Sequence, residues 1–155
     1  IHFPHPFRFD EISEKIKEVG GIDTCYGGIG YHGHIAFNEP PINRWHKISR
    51  EEFKSSLTRV VQLAGWVKLG HLTGGAGGNS SMIPSMAVTI GMRDILSSKR
   101  IRLYCDGGDW QRTIFGIACL GEISIEYPVT FVQEHPDCVI NVDSYTADPP
   151  KSAPK

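Results

Sequence analysis

The chain has 155 residues, of which 40% are hydrophobic, and this is enough to bury one core and predicts a single domain. Its formal net charge of -1 provides no basic field to attract nucleic acid or an anionic membrane surface. Its apolar runs are also much shorter than the roughly 18 to 20 residues of a membrane helix. We therefore expect neither nucleic acid nor a membrane as a partner.

The four cysteines are widely spaced and form no CxxC pair; they are Cys25, Cys105, Cys119 and Cys138. They lie in apolar stretches, so we interpret them as reduced core thiols. Because disulfides are rare in the cytoplasm, this pattern favours a cytoplasmic location. The chain begins at Ile1 without a methionine, and we expect it to be part of a longer protein.

Apolar residues at helical spacing predict an amphipathic helix over residues 10–19, with Gly20 where a C-terminal cap belongs. A short β-branched stretch then predicts a strand over residues 22–26, followed by a glycine-rich loop. Further on, Ser49 and Glu52 have the spacing of a capping box that opens a helix.

The remaining elements alternate. Strands are predicted over residues 57–64, 86–90, 100–105 and 138–142. Helices are predicted over residues 92–97, 110–120 and 130–133. The glycine-rich residues 70–81 are predicted to be a loop. This alternation is typical of an α/β fold with a mostly parallel sheet, in which ligands bind at the carboxyl ends of the strands. We assign residues 1–145 to the domain and residues 146–155 to a disordered, proline-rich tail.

Gly28, Gly30 and Gly33 form a G-x-G-x-x-G pattern after a predicted strand, as in dinucleotide-binding turns. That turn must lead into a helix, but here the chain runs into Pro40 and Pro41. A nucleotide-binding oxidoreductase is therefore only a distant alternative.

His32, His34 and Glu39 follow the glycines and have two further interpretations. An imidazole pair with a carboxylate can bind a metal, but no nearby cluster supplies further ligands, so we expect no metal. Alternatively, His34 and Glu39 form an acid/base pair, in which an imidazole both gives and takes a proton. The glycines would then let the backbone approach a small substrate and donate amide hydrogens to it.

The string GGIDTCYGGIGYHGHIAFNEPP closely resembles the signature of glucosamine-6-phosphate deaminases. Three later segments resemble that family in the same order: TRVVQL, AVTIGMRDIL and YPVTFVQEHPDCVINVD. The resemblance implies the three-layer α/β sandwich of the deaminase and ribose-5-phosphate isomerase-like superfamily, incomplete at its N-terminus. It also implies that no metal or organic cofactor is used.

By this resemblance, His34 and Glu39 assist opening of the pyranose ring. His32 stands where the family has an aspartate that orients the histidine. The glycines of the loop and Asn38 are expected to contact the sugar. The family's phosphate-binding lysine is absent, since its place falls at Trp110 or Gln111.

Arg112 is our candidate to replace that lysine, because a guanidinium binds phosphate in a bidentate manner; a solvated surface arginine is the alternative.

The implied function is an amino-sugar-phosphate isomerase/deaminase that uses general acid/base catalysis and a small-molecule sugar phosphate as its partner. In the family, the isomerising base and a phosphate loop precede the segment that corresponds to this chain, so we expect the chain alone to be inactive. A homo-oligomer is expected. The alternatives are a catalytically silent sugar-phosphate binding domain and a 6-phosphogluconolactonase-like hydrolase.

Overall fold

The structure is a computed structural model that describes residues 1–41 and 47–149. In chain order, its helices and strands are α1 Asp10–Glu18, β1 Thr24–Gly28, α2 Arg50–Lys54, β2 Arg59–Gln62, α3 Gly65–Gly74, β3 Met86–Thr89, α4 Met92–Leu96, β4 Arg100–Cys105, α5 Asp109–Leu120, β5 Cys138–Val142 and α6 Ser144–Ala147. Two 3₁₀ segments, Ser80–Met82 and Pro128–Glu134, lie between them. In the part of the chain that is described, no helix has the length and apolarity required to cross a membrane.

The main sheet has three parallel strands in the order β1-β4-β5. On the central strand β4, Ile101 pairs with Cys25 of β1 on one side and with Cys138 of β5 on the other. Strands β2 and β3 form a separate antiparallel pair. The α/β class with a mostly parallel sheet is thereby confirmed.

Burial alternates along β4, as expected for a strand with one face in the core. Ile101, Leu103 and Cys105 are fully buried, and they pack in one cluster with apolar residues of α4, of α5 and of the segment Pro128–Glu134. Tyr104 points to the other face and is exposed, as is Tyr26 of β1, which pairs with Arg102. Within the described residues, helices therefore pack against one face of this sheet, and the face that carries Tyr26 and Tyr104 is exposed.

The ends of α1 and α2 follow the signals in the sequence. Gly20 has a φ of 84° and its N–H donates to Lys17 O, while Gly21 N–H donates to Ile16 O at 2.8 Å. At α2, Ser49 Oγ accepts from Glu52 N, and the Glu52 carboxylate accepts from Ser49 N at 2.8 Å. Both helix-end predictions are confirmed.

The predicted loop over residues 70–81 is wrong in its first half, because α3 continues to Gly74. Gly70 costs this helix stability, but it allows the ring of Tyr31 to pack directly on the backbone. A Cβ atom at position 70 would lie 2.2 Å from that ring. Composition indicated a loop, whereas packing against the Tyr31 ring accounts for a glycine inside a helix.

The predicted tail begins too early. Residues 144–147 form α6, which the Asp143 side chain caps by accepting from Thr146 N. Thr146 is fully buried, and its Oγ1 also bonds to the Asp143 carboxylate at 2.7 Å. Residues 150–155 of the tail lie outside the described residues.

Smaller differences concern boundaries and the thiols. The first strand begins at Thr24 rather than at residue 22, and the helix predicted over residues 130–133 is the 3₁₀ segment Pro128–Glu134. All four cysteines are free, as expected. Cys119, however, is exposed on α5, so the assignment to the core is wrong for this thiol.

Candidate active site

The loop that follows β1 is closed by its own hydrogen bonds. Gly30 N–H donates to His34 O at 3.0 Å, and Gly33 N–H donates to Gly30 O at 2.9 Å. Gly33 has a φ of 66°, which favours glycine, and its carbonyl accepts from Val129 N at 2.7 Å. The expectation that the Gly30 and Gly33 amides donate to a ligand is therefore wrong. These glycines shape the loop instead, and Gly28 ends β1 beside Tyr104.

The glycine at position 30 also makes room for the His34 ring. A Cβ atom on Gly30 would lie 1.9 Å from His34 Nε2. The His34 side chain is 7% exposed, and its Nδ1 atom is buried without a hydrogen-bond partner. Burial, together with the smaller electrostatic effects of the nearby His32 and His71 rings, lowers the pKa of His34 to about 4. At neutral pH, His34 is thus an uncharged imidazole that can both donate and accept a proton.

Glu39 lies five residues further along the same loop. Both of its carboxyl oxygens are buried and form no hydrogen bond of normal geometry. Burial raises the pKa of Glu39, and the Ala64 backbone N–H, at the start of α3, opposes that rise. Glu39 and His34 therefore do not bond to each other, yet both have buried polar atoms without partners.

Asn38 between them is fully buried and holds the loop in place. Its amide nitrogen donates to Ile35 O at 3.0 Å and to Ile90 O at 2.8 Å, and its oxygen accepts from Arg59 Nη1 at 2.9 Å. The expected contact between Asn38 and the sugar is not supported, because both donors and one acceptor position are already used. Ala36, in the same loop, has a φ of 52°, which lies in the left-handed region.

His32 is held between two aromatic rings. Its ring centroid lies 5.1 Å from that of Trp66 and 5.3 Å from that of Tyr127, with interplanar angles of 27° and 11°. His32 affects His34 electrostatically, since it lowers the pKa of His34. These contacts connect α3 and the segment before Pro128–Glu134 to the loop that bears His34.

The described residues contain no group of three His, Cys, Asp or Glu side chains arranged to hold a metal ion. The loop therefore offers two buried protonatable groups, one neutral imidazole and one carboxyl with a raised pKa, for proton transfer to a small ligand.

No family model matches the chain. Among curated proteins, it is 31% identical over 153 residues to a glucosamine-6-phosphate deaminase of Clostridium botulinum, covering 95% of this chain and 56% of that protein. It is 30% identical to glucosamine-6-phosphate deaminase 2 of Mus musculus, covering 86% and 44%. A solved monomeric glucosamine-6-phosphate deaminase superposes with a TM-score of 0.76 at 27% identity, covering 90% of this chain and 52% of that one.

Over most of its length the chain is similar to glucosamine-6-phosphate deaminases in sequence and in fold. It spans about half the length of the curated deaminases that it matches. A 6-phosphogluconolactonase from Trypanosoma cruzi shares the fold, with a TM-score of 0.60 at 16% identity. The sheet, the glycine-rich loop and His34 with Glu39 are thus placed on a deaminase-type scaffold.

The structure does not support Arg112 as a free phosphate ligand. Arg112 is 5% exposed, its guanidinium lies 4.4 Å from the centre of the Tyr145 ring, and its Nε is 3.2 Å from an oxygen of Asp109. That Nε lacks hydrogen-bond geometry, so the pair is an ion pair only. Arg112 is neither the solvated arginine of our alternative nor available to a ligand without rearrangement.

Two structural residues of this site were missed from the sequence. Arg59 was seen only as part of a strand, although it anchors Asn38. Gln111 was noted only where the deaminases have a lysine, but its side chain donates to Ile29 O at 2.6 Å and accepts from Gly107 N at 2.5 Å. The pairings of Arg59 with Asn38 and of Gln111 with Ile29 join segments far apart in sequence, and a single sequence carries no signal for them.

Proposed function

We propose that the chain carries the ring-opening site of an amino-sugar-phosphate isomerase/deaminase, acting on glucosamine 6-phosphate or a close analogue. The observation that supports this most is the pair of unpartnered groups on one loop, His34 Nδ1 and the two oxygens of Glu39. A buried polar atom without a partner costs about 1–3 kcal/mol. Such a cost is typical of a site where a polar ligand supplies the missing hydrogen bonds.

The chemistry of ring opening matches these two groups. Opening a pyranose requires one proton to leave the C1 hydroxyl and one proton to reach the ring oxygen. A neutral imidazole can accept or donate a proton, and His34 is neutral because burial lowers its pKa to about 4. Glu39, whose pKa is raised by burial, is suited to exchange the other proton.

Ring opening precedes the step that needs the isomerising base, so it can be measured in a chain that is expected to be inactive in the whole reaction. We would mix the chain with glucosamine 6-phosphate or with glucosamine and measure the exchange rate between α and β anomers by two-dimensional exchange NMR. The chain should accelerate this exchange, and His34→Ala and Glu39→Gln should each reduce the acceleration by about 10²-fold. His2→Ala, at an exposed position in the N-terminal segment, should leave the rate unchanged.

Other outcomes favour other functions. Acceleration that survives both substitutions would show that the site is wrongly assigned. Sugar binding without any acceleration would favour a catalytically silent binding domain. Hydrolysis of 6-phosphogluconolactone would favour the lactonase-like alternative, for which the shared fold is the only support. Ammonia released from the amino sugar would extend the proposal from ring opening to deamination.

We also propose a cytoplasmic location and self-association into a homo-oligomer, with no nucleic acid as partner. The free thiols agree with the location, and the exposed face of the sheet at Tyr26 and Tyr104 offers a surface for association. The solved deaminase that the chain resembles is described as monomeric. Sedimentation equilibrium distinguishes the two states, and a monomer at all concentrations would refute the oligomer.

A further inference from the structure

The acid/base loop, residues 34–39, is held at its two ends by different parts of the fold. Just before it, Gly33 O accepts from Val129 N at 2.7 Å, and Val129 belongs to the core cluster of the main sheet. Near its other end, Asn38 Nδ2 donates at 2.8 Å to the carbonyl of Ile90, the residue that follows β3. Strands β2 and β3 form a sheet of their own. The main sheet therefore fixes the first part of the loop, and the β2–β3 pair fixes the last part.

Two side chains of the β2–β3 pair bind consecutive residues of this loop. Arg59 Nη1 on β2 donates to Asn38 Oδ1 at 2.9 Å. Thr89 Oγ1 on β3 accepts from Phe37 N at 3.0 Å. Arg59 and Thr89 are directly opposite each other in the antiparallel ladder, so their side chains lie on the same face of it. This cross-strand pair thus holds the two residues that immediately precede Glu39.

Burial protects both contacts from competition with water. Thr89 is 2% exposed, and Asn38 is fully buried. The Arg59 side chain is half-buried, and this burial lowers its pKa. The guanidinium remains charged at neutral pH, and a hydrogen bond from a charged donor is stronger than one between neutral groups. The Arg59–Thr89 pair is therefore a firm support for the loop.

We propose that Arg59 and Thr89 are positioning residues, which set the place of the Glu39 carboxyl relative to the His34 imidazole for ring opening. General acid/base catalysis requires each group to lie within hydrogen-bond reach of the proton that it transfers, and a displacement of about 1 Å can cost about 10²-fold in rate. Arg59 and Thr89 act through the loop and do not touch the sugar. This inference rests on the proposed function, because it concerns the same proton transfers.

Two pairs of variants test the inference by anomer exchange of glucosamine 6-phosphate. Thr89→Val keeps the shape of the side chain but removes the hydroxyl acceptor, and it should lower the exchange rate at saturating sugar about tenfold. Thr89→Ser keeps the hydroxyl and should stay within about threefold of the unsubstituted chain. Arg59→Met should lower the rate about 10²-fold, whereas Arg59→Lys, which retains a charged donor, should recover about tenfold of that loss. The sugar concentration at half-maximal rate should change less than about threefold, because neither residue contacts the sugar.

A second measurement does not depend on catalysis. Burial raises the pKa of Glu39 above its ordinary value of 4.5. In Arg59→Met the end of the loop should loosen and admit water, so the pKa of Glu39 should fall toward 4.5. His34 is held from the main sheet and should keep its lowered pKa of about 4. The ¹³C shift of the Glu39 carboxyl carbon and the ring shifts of His34, followed against pH, report the two groups separately.

The matched control is Arg8→Met, at an exposed position in the N-terminal segment, which should change neither the exchange rate nor the two pKa values. Circular dichroism establishes that each variant is folded. If Arg59→Met does not fold, Thr89→Val and Thr89→Ser decide by the same two measurements. The inference is overturned if the folded variants that lack the contacts exchange anomers as fast as the unsubstituted chain. It is also overturned if their Glu39 pKa is unchanged, or if the pKa of His34 moves as far.

The proposed function and this inference fail in different ways. If the unsubstituted chain does not accelerate anomer exchange, the ring-opening role is refuted, while the titration of Glu39 still decides whether the Arg59–Thr89 pair positions that carboxyl. If exchange depends on His34 and Glu39 but survives in Arg59→Met and Thr89→Val, only the positioning role is refuted.

Discussion

His34 should make the protein sensitive to mild acid, and the size of the effect follows from its burial. The pKa of this imidazole falls from its ordinary value of 6.5 to about 4 in the folded chain. Between these two pH values the unfolded chain takes up a proton at His34 and the folded chain does not. Unfolding is therefore favoured as the pH falls through this window, and the effect is absent above pH 6.5.

The pKa difference of about 2.5 corresponds to about 3 kcal/mol, at roughly 1.4 kcal/mol for each pH unit. Because the His34 side chain is only 7% exposed, solvent screens this term little. Glu39 acts in the opposite sense, since its raised pKa means that its contribution to stability declines as the pH rises. When the unsubstituted chain is compared with His34→Gln, the contributions of Glu39 and of the surface carboxylates to the free energy of unfolding cancel, because both proteins contain these groups.

The measurement is urea unfolding of the unsubstituted chain and of His34→Gln at pH 7, 6, 5 and 4. The difference between their free energies of unfolding should shift by about 3 kcal/mol in favour of the variant between pH 7 and pH 4. His2→Gln, at an exposed position, serves as the matched histidine control and should show no such shift. A difference that stays constant to within about 0.5 kcal/mol would refute the view that His34 is buried in its neutral form.

Three further predictions concern the same loop, and a fourth concerns α5. Gly30→Ala should displace the His34 ring and reduce anomer exchange about 10²-fold, because its Cβ atom overlaps the imidazole. Gly116→Ala, inside α5 with no atom within 4 Å of the added Cβ, should instead stabilise the fold by about 0.5–1 kcal/mol. Asn38→Ala should lower the free energy of unfolding by about 2–4 kcal/mol in urea titrations, since it leaves several buried polar groups unpaired. Ala36→Gly should raise the melting temperature, because it relieves a left-handed backbone conformation, and a lower value would contradict this.

The local elements of the fold could be predicted because their signals are local. The capping box at Ser49 and the glycine cap at Gly20 involve residues within four positions of each other, and both were found where expected. The parallel sheet followed from the alternation of strands and helices. Gly70 in α3 and Thr146 in α6 were misjudged, because a distant ring and a distant amide determine their surroundings.

The candidate site was likewise predicted where its signals are local and missed where they depend on tertiary contacts. The glycine-rich string made His34 and Glu39 candidates, and the structure buries the polar atoms of both without partners. The same string also suggested a ligand contact for Asn38, but its hydrogen bonds to Ile90 and Arg59 join segments that are far apart in sequence. Residue type indicates which groups can react, whereas tertiary pairing decides which of them are left free to do so.

The most direct test of the account is a crystal structure of the chain with D-glucosamine bound. We predict that oxygens of one sugar ring lie within about 3.2 Å of both His34 Nδ1 and a Glu39 carboxyl oxygen, so that the two unpartnered groups acquire partners. A sugar bound at another surface, or bound at this loop with either group still unpaired, would contradict it.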